Sequence, residues 1–402
     1  MEVKIVDAIM GSGKTSAMIN YINESSQEEK FIFVTPYLLE VERVIESCPQ
    51  KKFKEPMEKG GKLNNVKLLI SKGYNIATTH ALFNLFDEEV RFLLEDSNYT
   101  LIMDEAIQVI ETLKITYSDM QNILKSYALI DKEGVVRWHC SDYEGKLSGY
   151  KKLCQAGRIY KSGSGLLDVF QVSIFEAFKK VYVLTYMFEG QILKYYFDFF
   201  NVKYSFLSVS NANGYYHLTS DKVDYVVPNY KKLIHIYEKR NRDDMRRKLN
   251  DIGKGKNALS VSWYENKKNK KNIERLQKNC VCFFRKYANT KVKYNMWTTY
   301  SEYKKNISGG GYATGFVSCN MRASNDYKHK TSCAYLVNRF ISPVHKNFFA
   351  TRGIKVDEDA FATSEMLQWL FRSAIREGKE ITVYVPSERM RRLLKKWIRS
   401  VS

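Results

Sequence analysis

The segment Ala8-Ile9-Met10-Gly11-Ser12-Gly13-Lys14-Thr15 joins a strand pattern to a helix pattern, and this arrangement decides the fold. Val3, Ile5 and Val6 predict a buried strand before it, and residues 17–22 predict a helix after it. A strand, a glycine-rich turn and a helix in this order indicate the start of an α/β domain.

The same segment predicts a site for the phosphates of a nucleoside triphosphate. Gly11 and Gly13, with Ser12 between them, allow backbone torsions that a side chain forbids, so N–H groups can converge on phosphate oxygens at the helix N-terminus. Lys14 would reach the terminal phosphates, and the Thr15 hydroxyl would bind Mg²⁺. Ala8 stands where the common pattern has its first glycine. The alternative is a tight glycine turn that happens to carry a lysine.

Length and composition limit the possible classes of protein. A chain of 402 residues is long enough for two domains of about 200 residues. The hydrophobic content of 44% is typical of a folded protein. No apolar run approaches the roughly 18 residues of a membrane span, and the N-terminus lacks a signal-peptide core. We therefore expect a cytoplasmic protein without membrane contact, in the host cytoplasm if the chain is encoded by a phage. The seven cysteines are scattered and do not have zinc-site spacing.

The net charge of +20 is concentrated in the second half of the chain. Residues 1–200 hold 24 Lys and Arg against 27 Asp and Glu, whereas residues 201–402 hold 40 against 17. A basic half with many aromatic residues predicts a nucleic-acid partner. Lysine-rich helices with ordinary solvated faces are the alternative, but they do not explain why the excess lies in one half.

The order of apolar segments predicts the domain organisation. The first half alternates strands and helices, which indicates a parallel sheet with crossover helices. We expect a first domain at 1–112 and 168–210, an insertion at 113–167, a linker at 211–235 and a second domain at 236–402. Within the second domain we expect these elements: a charged helix at 238–249, strands at 258–262, 292–297, 315–319, 333–337 and 381–385, and a final helix that begins at Ser387.

Asp104 and Glu105 follow the apolar strand pattern of residues 100–103. A carboxylate at a strand tip can hold Mg²⁺, which prefers oxygen ligands and keeps much of its hydration. A neighbouring carboxylate can orient and deprotonate an attacking water. We therefore assign Asp104 to the metal and Glu105 to the water. The alternative is an acidic pair that caps a helix.

A third element lies near the C-terminus, between Gln368 and Arg376. Ser364 is the expected N-cap of a helix in which Arg372 and Arg376, four residues apart, share one face. An arginine that reaches the γ-phosphate accelerates phosphoryl transfer strongly. The alternative is a solvated basic surface.

These three elements together resemble the superfamily 2 helicases, and among them the members outside the DEAD-box group. The segment from Ala8 to Thr15 is similar to motif I of that family, and Asp104-Glu105-Ala106-Ile107 is similar to motif II. Gln368 and Arg372 are similar to motif VI. Two departures occur there, since Phe371 replaces a glycine and Arg376 lies one residue later than in the family, so Arg372 is the better candidate for the arginine finger.

The resemblance also implies contacts with a nucleic-acid strand. Thr35-Pro36 resembles motif Ia, and Thr78-Thr79-His80 resembles the segment that follows it. Thr185 lies at the place of motif III, which in the family links hydrolysis to strand movement, although the usual Ser-Ala-Thr of that motif is absent here. Ser262 lies where motif IV is expected, and residues 318–326, with Arg322 and Asn325, lie where motif V is expected.

The resemblance implies an α/β fold of two tandem RecA-like domains with parallel sheets, plus an insertion in the first domain. It implies hydrolysis of ATP with Mg²⁺ and movement along single-stranded or forked DNA, as in compact bacteriophage helicases. The resemblance also implies replication or recombination proteins as partners, and a monomer is compatible with the sequence. RNA as the strand, a genome-packaging ATPase and a nucleotide-dependent switch protein stay open as alternatives.

Overall fold

The computed structural model describes residues 1–223, 225, 227–238, 249–319 and 326–401. The chain divides into two compact units. The first contains Met1–Val223 and Ile341–Val356, and the second contains Asp224–Phe340 and Asp357–Ser402.

The described residues form sixteen strands. They are β1 (Glu2–Asp7), β2 (Lys30–Thr35), β3 (Ile76–Thr79), β4 (Tyr99–Asp104), β5 (Ile110–Thr112), β6 (Ala128–Ile130), β7 (Val136–Trp138), β8 (Ile159–Ser162), β9 (Gly165–Val169), β10 (Lys180–Thr185), β11 (Tyr204–Ala212), β12 (Tyr215–Thr219), β13 (Ile234–Ile236), β14 (Asn295–Thr298), β15 (Ser332–Tyr335) and β16 (Ile381–Tyr384).

The described residues also form sixteen α-helices. They are α1 (Lys14–Glu24), α2 (Leu38–Ser47), α3 (Lys62–Ser71), α4 (His80–Phe83), α5 (Glu88–Glu95), α6 (Tyr117–Asn122), α7 (Ser148–Gln155), α8 (Val172–Glu176), α9 (Ile192–Phe199), α10 (Tyr230–Leu233), α11 (Val261–Glu265), α12 (Lys270–Cys282), α13 (Lys304–Ile307), α14 (Pro343–Ala350), α15 (Glu358–Leu370) and α16 (Glu388–Ser400).

A seven-stranded sheet with the order β12-β11-β1-β10-β4-β2-β3 organises the first unit. All neighbouring strands are parallel except β11 and β12, which are antiparallel. The central strands are almost continuously apolar and buried, as expected for a parallel sheet covered on both faces. Helix α1 packs its buried side chains, which include Ala17, Met18 and Ile22, into this interior.

The strand register aligns the carboxyl ends of the central strands. Leu184 on β10 lies beside both Val6 on β1 and Asp104 on β4. Likewise, Thr35 on β2 pairs with Thr79 on β3. The carboxyl ends of parallel strands lie at one edge of a sheet, which is where α/β proteins bind ligands. The segments that follow these strands therefore share that edge.

The residues between β4 and β10 form smaller sheets. Strands β5, β9 and β8 form a three-stranded sheet, and β6 and β7 form a hairpin. A separate small core packs beneath them, made of Met120, Ile123, Ala128, Val136, Cys154, Ile159 and Leu166. Strand β9 extends to Val169, and α8 after it covers only Val172–Glu176.

The second unit contains a parallel four-stranded sheet with the order β13-β16-β15-β14. The final helix α16 begins after Ser387, whose hydroxyl accepts a hydrogen bond from the Met390 N–H, as the sequence predicts. Its apolar stripe is buried and includes Met390, Leu394 and Trp397. The basic side chains of this helix lie outside that stripe.

The chain returns from the second unit to the first. Residues 341–356 were expected in the second domain, but α14 packs in the first unit. The Phe348 and Phe199 rings stack with centroids 4.1 Å apart, and the Ser162 hydroxyl donates to the Val344 carbonyl oxygen at 2.7 Å. These contacts join residues far apart in sequence, so local patterns do not reveal them.

Other local predictions also differ from the structure. The expected linker at 211–235 begins within the first sheet, because β11 and β12 form its edge hairpin. The expected strand at 258–262 is wrong, since the Ser260 hydroxyl caps α11 at the Trp263 N–H. The expected strand at 315–319 is reduced to a single bridge between Phe316 and Trp297. Most of the charged helix expected at 238–249 lies outside the described residues.

Within the described ranges, the structure contains no helix that is both long enough and apolar enough to cross a lipid bilayer.

Candidate nucleotide-binding site

The loop between β1 and α1 has the backbone shape that the glycines predict. Gly11 and Gly13 adopt φ angles of +83° and +85°, in the left-handed region that glycine occupies most readily. Gly13 is the N-cap residue of α1, and no side chain caps this helix end. The first N–H groups of a helix lack intrahelical partners and carry partial positive charge, so this end fits a phosphate group.

Lys14 lies across this loop. Its ammonium nitrogen donates hydrogen bonds to the Ala8 carbonyl oxygen at 2.6 Å and to the Ile9 carbonyl oxygen at 3.0 Å. The charge of Lys14 is therefore held beside the N-terminus of α1. An anion bound at that helix end would lie next to a positive side chain.

Thr15 and Asp104 come together although 89 positions separate them in the sequence. The Thr15 hydroxyl lies 3.3 Å and 3.2 Å from the two carboxylate oxygens of Asp104. A hydroxyl and a carboxylate are hard oxygen ligands, and Mg²⁺ in phosphate sites uses one or two such side chains with water and phosphate oxygens. Among the described residues, no group of three or more His, Cys, Asp or Glu side chains could hold a metal ion. A metal at this site would therefore need water and phosphate oxygens as ligands in addition to Thr15 and Asp104. The donor atoms present fit Mg²⁺ bound together with a triphosphate.

The surroundings of Asp104 disfavour its ionised carboxylate when no cation is bound. Burial of its carboxyl group, followed by the nearby charge of Glu105, raises the pKa of Asp104 to about 7. Lys14 and the hydrogen bond from Thr15 act in the opposite direction. A divalent cation would stabilise the ionised carboxylate, since an opposite charge favours the charged form.

Glu105 has an unusual backbone conformation directly after β4. Its φ angle is +70°, and its N–H donates to the Leu184 carbonyl oxygen at 2.9 Å. A non-glycine residue in the left-handed region is unfavourable by about 1 to 3 kcal/mol, and such residues concentrate at functional sites. The chain therefore turns sharply where the sequence predicts the water-positioning carboxylate.

Asp7 and Gln191 are two polar side chains near the carboxyl ends of β1 and β10 that the sequence analysis did not single out. The Asp7 carboxylate, at the end of β1, accepts hydrogen bonds from the Met187 N–H at 2.8 Å and the Phe188 N–H at 3.0 Å. Burial raises the pKa of Asp7, while these two N–H groups lower it. The Gln191 amide nitrogen donates to the Thr185 hydroxyl at 2.7 Å. The acidic residue at a strand tip was the available signal for Asp7.

The residues expected to contact nucleic acid in the first unit lie at the same sheet edge. Thr35 is fully buried at the end of β2, and Pro36 next to it is half-buried. The Thr79 hydroxyl caps α4 at the Leu82 N–H. His80 is 8% exposed, and its Nε2 lies 3.0 Å from the Asp104 carbonyl oxygen. The structure therefore places His80 against the strand that carries Asp104.

In the second unit, the predicted bounds of the helix that was expected to carry Arg372 and Arg376 are wrong. Helix α15 begins after its N-cap Asp357 rather than at Ser364, which is buried inside the helix. The helix ends at Leu370, so Arg372 and Arg376 do not share one helix face. Arg372 lies in the turn that follows and is 4% exposed, whereas Arg376 is exposed in a 3-10 turn.

The remaining predicted residues of the second unit have different outcomes. The Gln368 side chain is half-buried on α15, with its amide nitrogen 3.4 Å from the Ser364 hydroxyl. Ser262 lies on α11, and its hydroxyl is 3.0 Å from that of Ser260. Arg322 and Asn325 lie outside the described residues.

Comparison with known proteins places the whole chain in a family. The chain is 39% identical over 417 aligned positions to the SPbeta prophage-derived uncharacterized protein YonV of Bacillus subtilis (strain 168), and the alignment covers 98% of each protein. The chain belongs to the YonV family. Residues 228–398 also match the model of the YonV C-terminal Rossmann-like domain.

Solved structures match the same chain by fold. Xpd4 of S. tokodaii aligns with a TM-score of 0.50 at 10% identity, over 98% of this chain and 94% of its own. An apo structure of XPD aligns with a TM-score of 0.50 at 12% identity, over 98% and 95%. The YonV-family chain therefore has the α/β fold of two RecA-like domains seen in XPD, with sheets rich in parallel strands.

Proposed function

We propose that the chain is an ATP-dependent helicase or translocase that moves along a strand of DNA. The observation that carries the proposal is the convergence of Lys14, Thr15 and Asp104 beside a glycine loop at one sheet edge. These are the residue types that bind the phosphates and Mg²⁺ of a nucleoside triphosphate in P-loop enzymes.

Each residue of this edge has a distinct part in the proposed hydrolysis. The N–H groups from Gly11 to Thr15 hold the phosphate oxygens, and Lys14 neutralises the charge of the terminal phosphates. Thr15 and Asp104 hold Mg²⁺, directly or through water. When bound, that ion would supply positive charge that stabilises the negative charge developing on the phosphates during transfer. Glu105 orients the attacking water and accepts its proton.

Gln368 and Arg372 of the second unit complete the reaction in this proposal, as the resemblance to motif VI implies. An arginine that approaches the γ-phosphate stabilises the charge that develops there during transfer. Arg372 fits this part better than Arg376, because it follows Gln368 at the family spacing.

Two observations support nucleic acid as the partner. Residues 201–402 carry 40 basic against 17 acidic residues, and the fold matches that of XPD. Phosphate contacts by Lys and Arg give binding that depends little on sequence and weakens steeply as salt rises. We expect such behaviour for this chain.

ATP hydrolysis measured with single-stranded DNA, with RNA and with neither strand tests the proposal. A DNA motor hydrolyses ATP faster with DNA, and the stimulation decreases as salt increases. Equal rates in all three conditions would contradict the motor and support the nucleotide-dependent switch instead. A tailed-duplex unwinding assay then separates a helicase from a translocase that moves without opening the duplex. Stimulation by RNA alone would mean that the chain moves along RNA and not along DNA.

A further inference from the structure

The edge hairpin of the first sheet lies beside the glycine loop. Strand β11 runs parallel to β1, and β12 returns antiparallel to it, with Asn211 paired to Tyr216. The Asn20 side chain on α1 donates a hydrogen bond to the Tyr216 carbonyl oxygen at 2.8 Å. This bond ties the hairpin to the helix whose N-terminus forms the predicted phosphate site.

The Tyr216 ring lies directly against Gly13. A β-carbon at position 13 would be 2.2 Å from Cδ1 and 2.3 Å from Cε1 of that ring. Gly13 is thus required both by its positive φ angle and by the space that the ring occupies. Tyr216 is half-buried, so part of its side chain stays accessible beside the loop.

We infer that Tyr216 is the aromatic surface on which the base of the bound nucleoside triphosphate stacks. The inference rests on the proposed function, since it needs the triphosphate to occupy the loop. The ribose and base are attached to phosphates held at Gly13, where this ring lies. Aromatic side chains bind bases by stacking on their faces, and every base has such a face. Tyr216 therefore supplies affinity for the nucleoside part with little discrimination between bases, and the accepted class is nucleoside triphosphates, ATP and GTP alike.

Calorimetric binding of ATP, GTP and inorganic tripolyphosphate, each with Mg²⁺, tests the inference. Tyr216→Leu keeps apolar volume but removes the aromatic face, whereas Tyr216→Phe keeps the face and removes only the hydroxyl. We expect Tyr216→Leu to weaken ATP and GTP about tenfold and to leave tripolyphosphate unchanged. Tyr216→Phe should bind all three as the wild type does. Tyr215→Ala is the matched control, because the neighbouring side chain points to the opposite face of β12 and is exposed.

Three results would overturn the inference. An equal loss of tripolyphosphate and ATP in Tyr216→Leu would mean that the ring only shapes the loop. Unchanged ATP affinity would mean that the ring does not touch the nucleoside. Tighter tripolyphosphate binding would mean that the ring covers the phosphate site. A wild-type protein that binds neither ATP nor tripolyphosphate would contradict the proposed function itself, so the two failures are distinguishable. Thermal unfolding of each variant verifies that the hairpin is retained.

Discussion

The carboxyl edge of the first sheet and the segment from Ser364 to Arg376 were both predicted from short motifs, with different outcomes. At the sheet edge, the loop, the strand tips and the contact between Thr15 and Asp104 agree with the predicted arrangement. In the second unit, the helix begins seven residues before Ser364 at its N-cap Asp357, and it ends before Arg372. The two outcomes differ because different interactions fix the positions of the residues in the two regions.

Local patterns position the residues of the sheet edge. An apolar strand that is buried in a parallel sheet must deliver the next residue at the carboxyl edge. The segment around Arg372 depends on a distant contact instead. The Ala374 N–H donates to the Lys330 carbonyl oxygen at 2.9 Å, and the Ser373 N–H and hydroxyl both donate to the Leu370 carbonyl oxygen. These bonds end the helix early, and helical spacing alone does not predict them.

The largest effect is expected at the sheet edge, for Lys14→Ala. Loss of the positive charge that faces the phosphates should reduce ATP turnover by about 100-fold or more while the fold is kept. Phosphate release measures the turnover, and circular dichroism measures the fold. Lys4→Ala on β1, where Lys4 pairs with Glu2, is the matched control. Retained turnover in Lys14→Ala would place the hydrolytic site elsewhere.

In the second unit, lysine substitutions at Arg372 and Arg376 test which arginine acts in hydrolysis. We expect Arg372→Lys to reduce turnover about 30-fold with little change in ATP affinity, because an ammonium keeps the positive charge but does not replace the planar guanidinium at a phosphoryl group. Arg376→Lys should have a much smaller effect, since Arg376 is exposed. Steady-state kinetics and ATP titrations measure both variants. If Arg376→Lys were the more damaging change, the alignment with motif VI would be shifted by four residues.

The pH dependence of Asp104 tests the electrostatics of the first region. The folded-state pKa of about 7 lies above the ordinary value of about 3.9, so the ligand-free folded state binds more protons between these values. The contribution of Asp104 to the stability of the ligand-free folded state therefore falls as the pH rises between these two pKa values. Asp104→Asn should raise the melting temperature by about 4 °C at pH 8 and by clearly less at pH 5, while Mg²⁺-dependent ATP binding is lost. An equal shift at both pH values would contradict the raised pKa.

The smallest effect is expected for Asp7→Ala, which removes the acceptor of two backbone N–H groups. Leaving the Met187 and Phe188 N–H groups unpaired should reduce the free energy of unfolding by about 1 to 3 kcal/mol. Chemical denaturation monitored by tryptophan fluorescence measures this loss. Asp7→Asn retains one acceptor oxygen and should lose less. No loss in Asp7→Ala would mean that water replaces the carboxylate at this turn.

Sequence reasoning therefore predicted the features that depend on residues close together in the chain, such as buried strands, turns and helix caps. The strand before Gly11, the strand tip at Asp104 and the cap of α16 at Ser387 follow from residue types within a few positions. Three features depend on distant partners and were missed. They are the edge hairpin that carries Tyr216, the return of residues 341–356 to the first unit, and the bond between Asp7 and the turn at Met187. Without the folded chain, no local pattern connects those residues.

ATP turnover of the wild type and of Glu105→Gln, measured while single-stranded DNA is titrated, tests the central claim most directly. The account predicts that DNA raises turnover of the wild type, and that Glu105→Gln binds ATP with similar affinity but hydrolyses it at least about 100-fold more slowly. Glu111→Gln, an exposed change on β5, serves as the control and should match the wild type. DNA-stimulated turnover by Glu105→Gln at the wild-type rate would contradict the account.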